Sequence, residues 1–152
     1  EADFSAVNRQ SFKYSLVYIS IMGIKYPTPE RIIEYNILAL ELIKVKKADQ
    51  PKVLSLPRIK EILEACENNP GDIYDKAVIL LKGLVQKHPF ASGNRRTAFI
   101  ALKDFMGRNK SKLLIEDEPH CARVMLGVRE GYYTDQEIKG WIKHGKIREF
   151  KR

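Results

Sequence analysis

Lys87-His88-Pro89-Phe90-Ala91-Ser92-Gly93-Asn94-Arg95-Arg96-Thr97-Ala98 is a short polar loop between two apolar runs of helical period, and the rest of the chain is read outward from it. Upstream, Asp72 is a helix cap, and apolar residues recur at Tyr74, Ala77, Val78, Leu81, Leu84 and Val85. That helix must stop near His88, because Pro89 disfavours helical geometry in the residue before it and has no amide proton. Downstream, Ala98, Ala101, Leu102 and Phe105 form an i, i+3, i+4, i+7 stripe, with Gly107 as the C-terminal stop. The second helix therefore starts at Ser92 to Asn94.

Its first turn carries Arg95 and Arg96, the wrong charge for a helix N-terminus, where the free N–H groups and the dipole favour anions. A bound anion removes that cost. Gly93 lets backbone approach a ligand closely, the amides point outward, and two guanidinium groups can grip phosphate oxygens. His88 then stands at the lip of the anion site, where an imidazole can take a proton from an incoming hydroxyl. Residue by residue, other readings stay open: Ser92 as a cap of the second helix, Arg95 as a surface charge, and Phe90 as core in either case.

The segment His88-Pro89-Phe90-x-x-Gly93-Asn94-x-Arg96 resembles the core of the Fic/Doc family, whose Fic pattern reads His-Pro-Phe-x-Asp/Glu-Gly-Asn-Gly-Arg-x-x-Arg. Asn94-Arg95-Arg96-Thr97-Ala98 is similar to the Doc branch, the death-on-curing toxins, in which a basic residue follows the Asn and Arg-Thr-Ala comes next. Weaker likeness runs from about Leu54 to Trp141. The resemblance implies a Fic-type helical bundle with a short flap or hairpin, though the first fifty or so residues show little of it; with the helical pattern of the rest of the chain, the expected fold is all-α with an extended N-terminal segment, divided as an extension over 1–27 and a Fic/Doc-like domain over 28–152. It implies a transferase that moves phosphate, or AMP, from ATP or another nucleoside triphosphate to a Ser, Thr or Tyr hydroxyl of a target protein. By position His88 is the catalytic base, Phe90 the loop anchor, and Gly93, Asn94, Arg95 and Arg96 the phosphate-binding residues.

Two positions depart from the Fic pattern. Ser92 stands where active Fic enzymes place an acidic Mg²⁺ ligand, so the motif supplies no metal carboxylate, and Mg²⁺ would depend on phosphates, water and at most a weak hydroxyl or cap residue. Phe99 replaces the last arginine and resembles the aliphatic residue of Doc, which favours phosphate transfer over AMP transfer. The alternative reading is a catalytically impaired module that keeps nucleotide and protein binding. The family's in-chain inhibitor has a Ser or Thr before its Glu-Gly or Glu-Asn pair. Here Leu126 and Leu63 occupy that position, so any inhibitor is expected to be a separate, antitoxin-like protein.

Elsewhere the chain reads as helices separated by short connectors. Ser11 to Ile24 alternates partly and is expected to be extended. Thr28-Pro29-Glu30 opens a helix to about Lys46, with Lys44-Val45-Lys46-Lys47 matching its C-terminal dipole. Lys52 to Leu56 alternates like a short strand and resembles the family's flap, or is an ordinary connector. Pro57 opens a helix ending at Asn68-Asn69-Pro70-Gly71, and Leu113-Leu114-Ile115 is too short to classify. Pro119 starts a helix closing near Gly131, and Thr134-Asp135-Gln136-Glu137 is a capping box for a last helix that buries Ile138, Trp141 and Ile142.

The 152 residues suffice for one core, and 27 Lys and Arg against 19 acidic residues, a net charge of +8, point to an acidic partner without choosing which. Nucleic acid ranks lowest, since no DNA- or RNA-binding motif accompanies the charge. Cys66 and Cys121 fall on apolar helix faces, as small buried residues of a reducing compartment. Neither a membrane span nor a signal peptide is visible, so a cytoplasmic location is expected. His120 and His144 have no ligand-spaced partners, and no Walker-type loop or dinucleotide fingerprint is present.

Overall fold

The computed structural model describes residues 13–14, 23–42 and 50–152, and among them the chain forms six α-helices and no sheet. They are α1 (Pro29–Leu42), α2 (Leu56–Asn68), α3 (Ile73–Gln86), α4 (Asn94–Arg108), α5 (Pro119–Arg129) and α6 (Asp135–His144). The all-α expectation holds. The extended reading of Ser11 to Ile24 falls largely outside the described residues, and residues 13 and 14 are helical. The extension of α1 to Lys46 and the basic run beside it also lie outside them.

The helix ends follow from local chemistry. Asp72 accepts from the N–H groups of Tyr74 and Asp75 while Asp75 accepts from the Asp72 N–H, closing a capping box at α3. Thr134 and Glu137 make the same reciprocal pair at α6, and Ser55 caps α2 by accepting from the Arg58 N–H. Gly107 is not the stop of α4. The helix runs one residue further, and Lys110 at φ 53° turns the chain while the Ser111 N–H reaches back to the Met106 carbonyl. This is a Schellman closure, built on Lys110 where glycine is usual.

Helix α3 is the hub, packing against α2, α4, α5 and α6, while α1 lies on α4 and α2. Its buried positions, among them Ala77, Val78, Leu80, Leu81, Leu84 and Val85, go almost round the helix, as an element enclosed by neighbours requires. Lys76 is buried too, and its ammonium donates to the carbonyls of Cys66, Glu67 and Asn69 at the end of α2. That satisfies a buried cation with carbonyls that the α2 C-terminus leaves free. Both cysteines are buried and free, as expected.

Between α1 and α2, the Lys52–Leu56 stretch is not a strand. A single antiparallel bridge joins Val53 to Phe90, with the Leu54 N–H on the Pro89 carbonyl at 2.8 Å and the Ala91 N–H on the Lys52 carbonyl at 3.0 Å. On its C-terminal side the pairing ends where α2 begins at Leu56. Leu113 to Ile115 is likewise irregular, tied to α6 by the Leu114 N–H and the Ile142 carbonyl.

At the α2–α3 contact, a Cβ on Gly83 would stand 2.7 Å from Cγ2 and 2.8 Å from Cγ1 of Ile62, a side chain that is fully buried. Gly83→Ala gains roughly 1 kcal/mol of helix propensity but overpacks a site whose relief typically costs ~1–3 kcal/mol. We expect a lower urea midpoint for Gly83→Ala, and a smaller loss for Ile62→Ala/Gly83→Ala than the two single changes sum to.

Candidate active site

The α3 helix ends with Lys87 as its C-cap, and the next residue, His88, adopts φ 51°. A left-handed conformation at a non-glycine residue is sparsely populated and persists only where the surroundings hold it. Pro89 and Phe90 are buried directly after it, Phe90 at 1% exposure, while the His88 ring is exposed. Phe90 is thus a core residue, as the sequence reading has it. The chain then emerges through Ala91 and Ser92 and turns into α4 at Gly93.

Gly93 has φ +77°, and a Cβ there would lie 3.1 Å from Leu40 Cδ2 and 3.4 Å from Asn36 Nδ2. The left-handed turn therefore favours glycine, and a Cβ would also crowd the Leu40 side chain of α1. Asn36, buried on α1, donates to the Ser92 carbonyl at 2.9 Å and to Thr97 Oγ1 at 3.1 Å, fastening the turn to the bundle. Ser92 does not cap α4. The N-cap position falls on Gly93 and no side chain fills it, because the left-handed turn leaves the Ser92 hydroxyl one residue too early. The first intrahelical bond runs from the Thr97 N–H to the Gly93 carbonyl, so the N–H groups of Asn94, Arg95 and Arg96 have no partner within the helix.

Asn94 is buried at 6% exposure. Its Oδ1 accepts from the Phe90 N–H at 3.0 Å, its Nδ2 donates to the Phe90 carbonyl at 2.8 Å, and Nδ2 also lies 3.2 Å from His88 Nδ1. Arg95 is exposed. Arg96 makes an ion pair with Asp117 at 2.9 Å, yet its Nε is buried with no hydrogen-bond partner among the described residues. Such an orphan donor is uncommon in a folded protein.

These residues enclose a cavity of about 430 Å³, within the range of small-ligand sites. His88, Ser92, Gly93, Asn94, Arg95 and Arg96 all line it, so every expected site residue except the buried Phe90 comes to one place. The opposite wall was not legible in the sequence: Asp117 and Glu118 before α5, Cys121, Ala122, Met125 and Arg129 on α5, and Leu40 on α1. None stands at a motif spacing from the loop. The only hint was α5's own apolar period, which marks Cys121 and Met125 as facing inward.

The lining divides into an apolar part, Leu40, Val85, Phe99 and Met125, and a basic part, Arg95, Arg96 and Arg129. This suits a ligand with a flat or apolar body and a multiply charged anionic end. Burial above all, with Asp117 adding to it, pushes the Cys121 thiol up to about 11, away from the thiolate form. Mg²⁺ fits less well. Asp117 and Glu118 are the only carboxylates in the lining, Asp117 is committed to Arg96, and no cluster of three metal-ligating side chains occurs among the described residues. Phosphate oxygens and water would have to supply most of its octahedral shell.

No described helix is long and apolar enough to cross a membrane. No curated protein matches the chain. The profile of the Fic/DOC family matches residues 26–106, more than half of the 152, from the approach to α1 through the motif loop and most of α4. The loop geometry and that match together make this chain a member of the Fic/DOC family.

Proposed function

We propose that the protein transfers a phosphate group, or less favourably AMP, from a nucleoside triphosphate such as ATP to a Ser, Thr or Tyr hydroxyl of a target protein. One observation carries the reading: three arginines, the open N-terminus of α4 and an exposed imidazole converge on one cavity. The arginines and the amides hold the triphosphate and stabilise charge building on the transferring group. His88, at the cavity lip beside open solvent, receives the proton of the attacking hydroxyl as the new P–O bond forms. The nucleoside diphosphate leaves when the γ-phosphate is transferred, and pyrophosphate leaves when AMP is.

The Lys52–Leu56 segment lies against Pro89 to Ala91, next to His88, and leaves Leu54 51% exposed, so a target segment meets it on the way to the imidazole. The likeness of Asn94–Ala98 to Doc favours phosphate transfer and brings with it an antitoxin-like protein as a regulating partner. Among the described residues the cavity offers Mg²⁺ one carboxylate outside the Arg96 ion pair, Glu118. A second reading rests on Ser92 and the Arg96–Asp117 pair: a module that binds nucleotide and protein without chemistry.

Incubation with ATP labelled at the α or the γ phosphate, in a lysate as target source, separates these. We expect label from the γ position in protein, abolished by His88→Ala. Nucleotide binding without His88-dependent label from either position would favour the binding module.

Asp117 competes with phosphate for Arg96. The pair is part-exposed, at 34% and 45% of the two side chains, so it is worth no more than about 1 kcal/mol. Asp117→Asn should therefore tighten nucleotide binding by at most about fivefold. Arg96→Ala removes a charge-assisted contact worth about 1.5–3 kcal/mol and should weaken binding roughly 10- to 100-fold. Calorimetric titration with ATP reads both, and an unchanged affinity in Arg96→Ala would remove the arginine from the site.

A further inference from the structure

The sequence reading places Asn94 among the phosphate ligands, but its side chain has no donor left for a phosphate. A carboxamide has two N–H donors and one carbonyl acceptor. The Phe90 backbone fixes which end is which: its N–H requires the oxygen opposite it, and its carbonyl requires the nitrogen. A flipped amide would set donor against donor and acceptor against acceptor in a buried place. One N–H of Nδ2 thus goes to the Phe90 carbonyl, and the other faces His88 Nδ1 at 3.2 Å.

A hydrogen bond from an N–H to Nδ1 needs a lone pair on Nδ1. We infer that Asn94 is a positioning residue that holds neutral His88 in the tautomer with its proton on Nε2. Asn94 serves the loop and the imidazole, and the α4 backbone amides and the arginines serve the phosphates. What this means for proton transfer rests on the reading of His88 as acceptor; the tautomer itself does not.

In the resting protein His88 therefore presents an N–H to the cavity at Nε2. It suits a phosphate oxygen as it stands and cannot take a hydroxyl proton there. To become a base at Nε2, the ring must lose that proton to water and gain another at Nδ1, which sets Nδ1–H against the Asn94 N–H and breaks their contact. Exposure of the ring to solvent provides the route for both protons.

Imidazole ¹⁵N spectra of the full chain without nucleotide, at a pH where histidine is neutral, test this. The His88 signals are assigned among the three histidines by their loss in His88→Gln. We expect Nδ1 at the shift of a bare nitrogen and Nε2 at that of a protonated one, with less averaging than a histidine peptide in the same buffer. Asn94→Ala should return the pair to the averaged shifts of the peptide, and Asn94→Asp, whose carboxylate accepts from Nδ1, should exchange them. Peptide-like averaging or a protonated Nδ1 in the wild type, or an unchanged pattern in a folded Asn94 variant, would overturn the inference. The wild-type comparison decides even where a variant fails to fold. Because no nucleotide is present, the result is separate from whether transfer occurs.

Discussion

The carboxamide of Asn94 bonds both the N–H and the carbonyl of Phe90, and on this clasp the geometry of the site depends. It joins the first residue of α4 to a buried aromatic four positions earlier, so the loop between α3 and α4 is held at both ends. Phe90 sinks into the core and supplies the apolar anchorage; the amide satisfies the backbone groups that this burial would otherwise strand. The Pro89 and Ala91 groups on either side pair with the segment between α1 and α2. A short loop with left-handed residues at His88 and Gly93 is thereby made rigid, which a site built on a loop needs in order to present a reacting group reproducibly.

Charge in the loop follows a second constraint. Two arginines in the first turn of a helix oppose its dipole, and the structure offsets the conflict only in part. Asp117 neutralises Arg96 from across the cavity, while the Nε of the same arginine stays buried without a partner among the described residues and Arg95 is exposed. The protein thus sets a carboxylate of its own against the first turn of α4. The pair is part-exposed and weak. Local disagreement of this kind between propensity and position is what functional sites exhibit.

Burial decided several roles that residue type alone suggested differently. Lys76 occupies a helix position that a charge would ordinarily take to solvent, yet it sits in the core because the α2 C-terminus presents it with carbonyls. Tyr35 on α1 donates to Asp104 on α4, and burial together with that carboxylate holds its hydroxyl well above the usual phenol range. Asn109 ties the α4 C-terminus to the backbone of Lys25, 84 residues away in the chain. These contacts set the frame that keeps α1 and α4 together, and through Asn36 they reach the Ser92–Gly93 turn.

The sequence by itself determined the helices, the caps of α2, α3 and α6, and the loop. Apolar period, Asp72, Thr134, Pro57 and Pro119 act within a few residues of where they stand, and so does the ordered run from His88 to Ala98. That run also carried the family. Only the tertiary structure decided what the loop faces: that Asp117, Cys121, Met125 and Arg129 close the cavity, that Lys52–Leu56 makes one bridge and no strand, and that Asn94 turns its amide to Phe90 and His88. The physical reason is distance along the chain. Caps and periodicity are local couplings that short stretches express, whereas a cavity wall is set by how α3 seats α4 and α5 against it, and that packing is a property of the whole core.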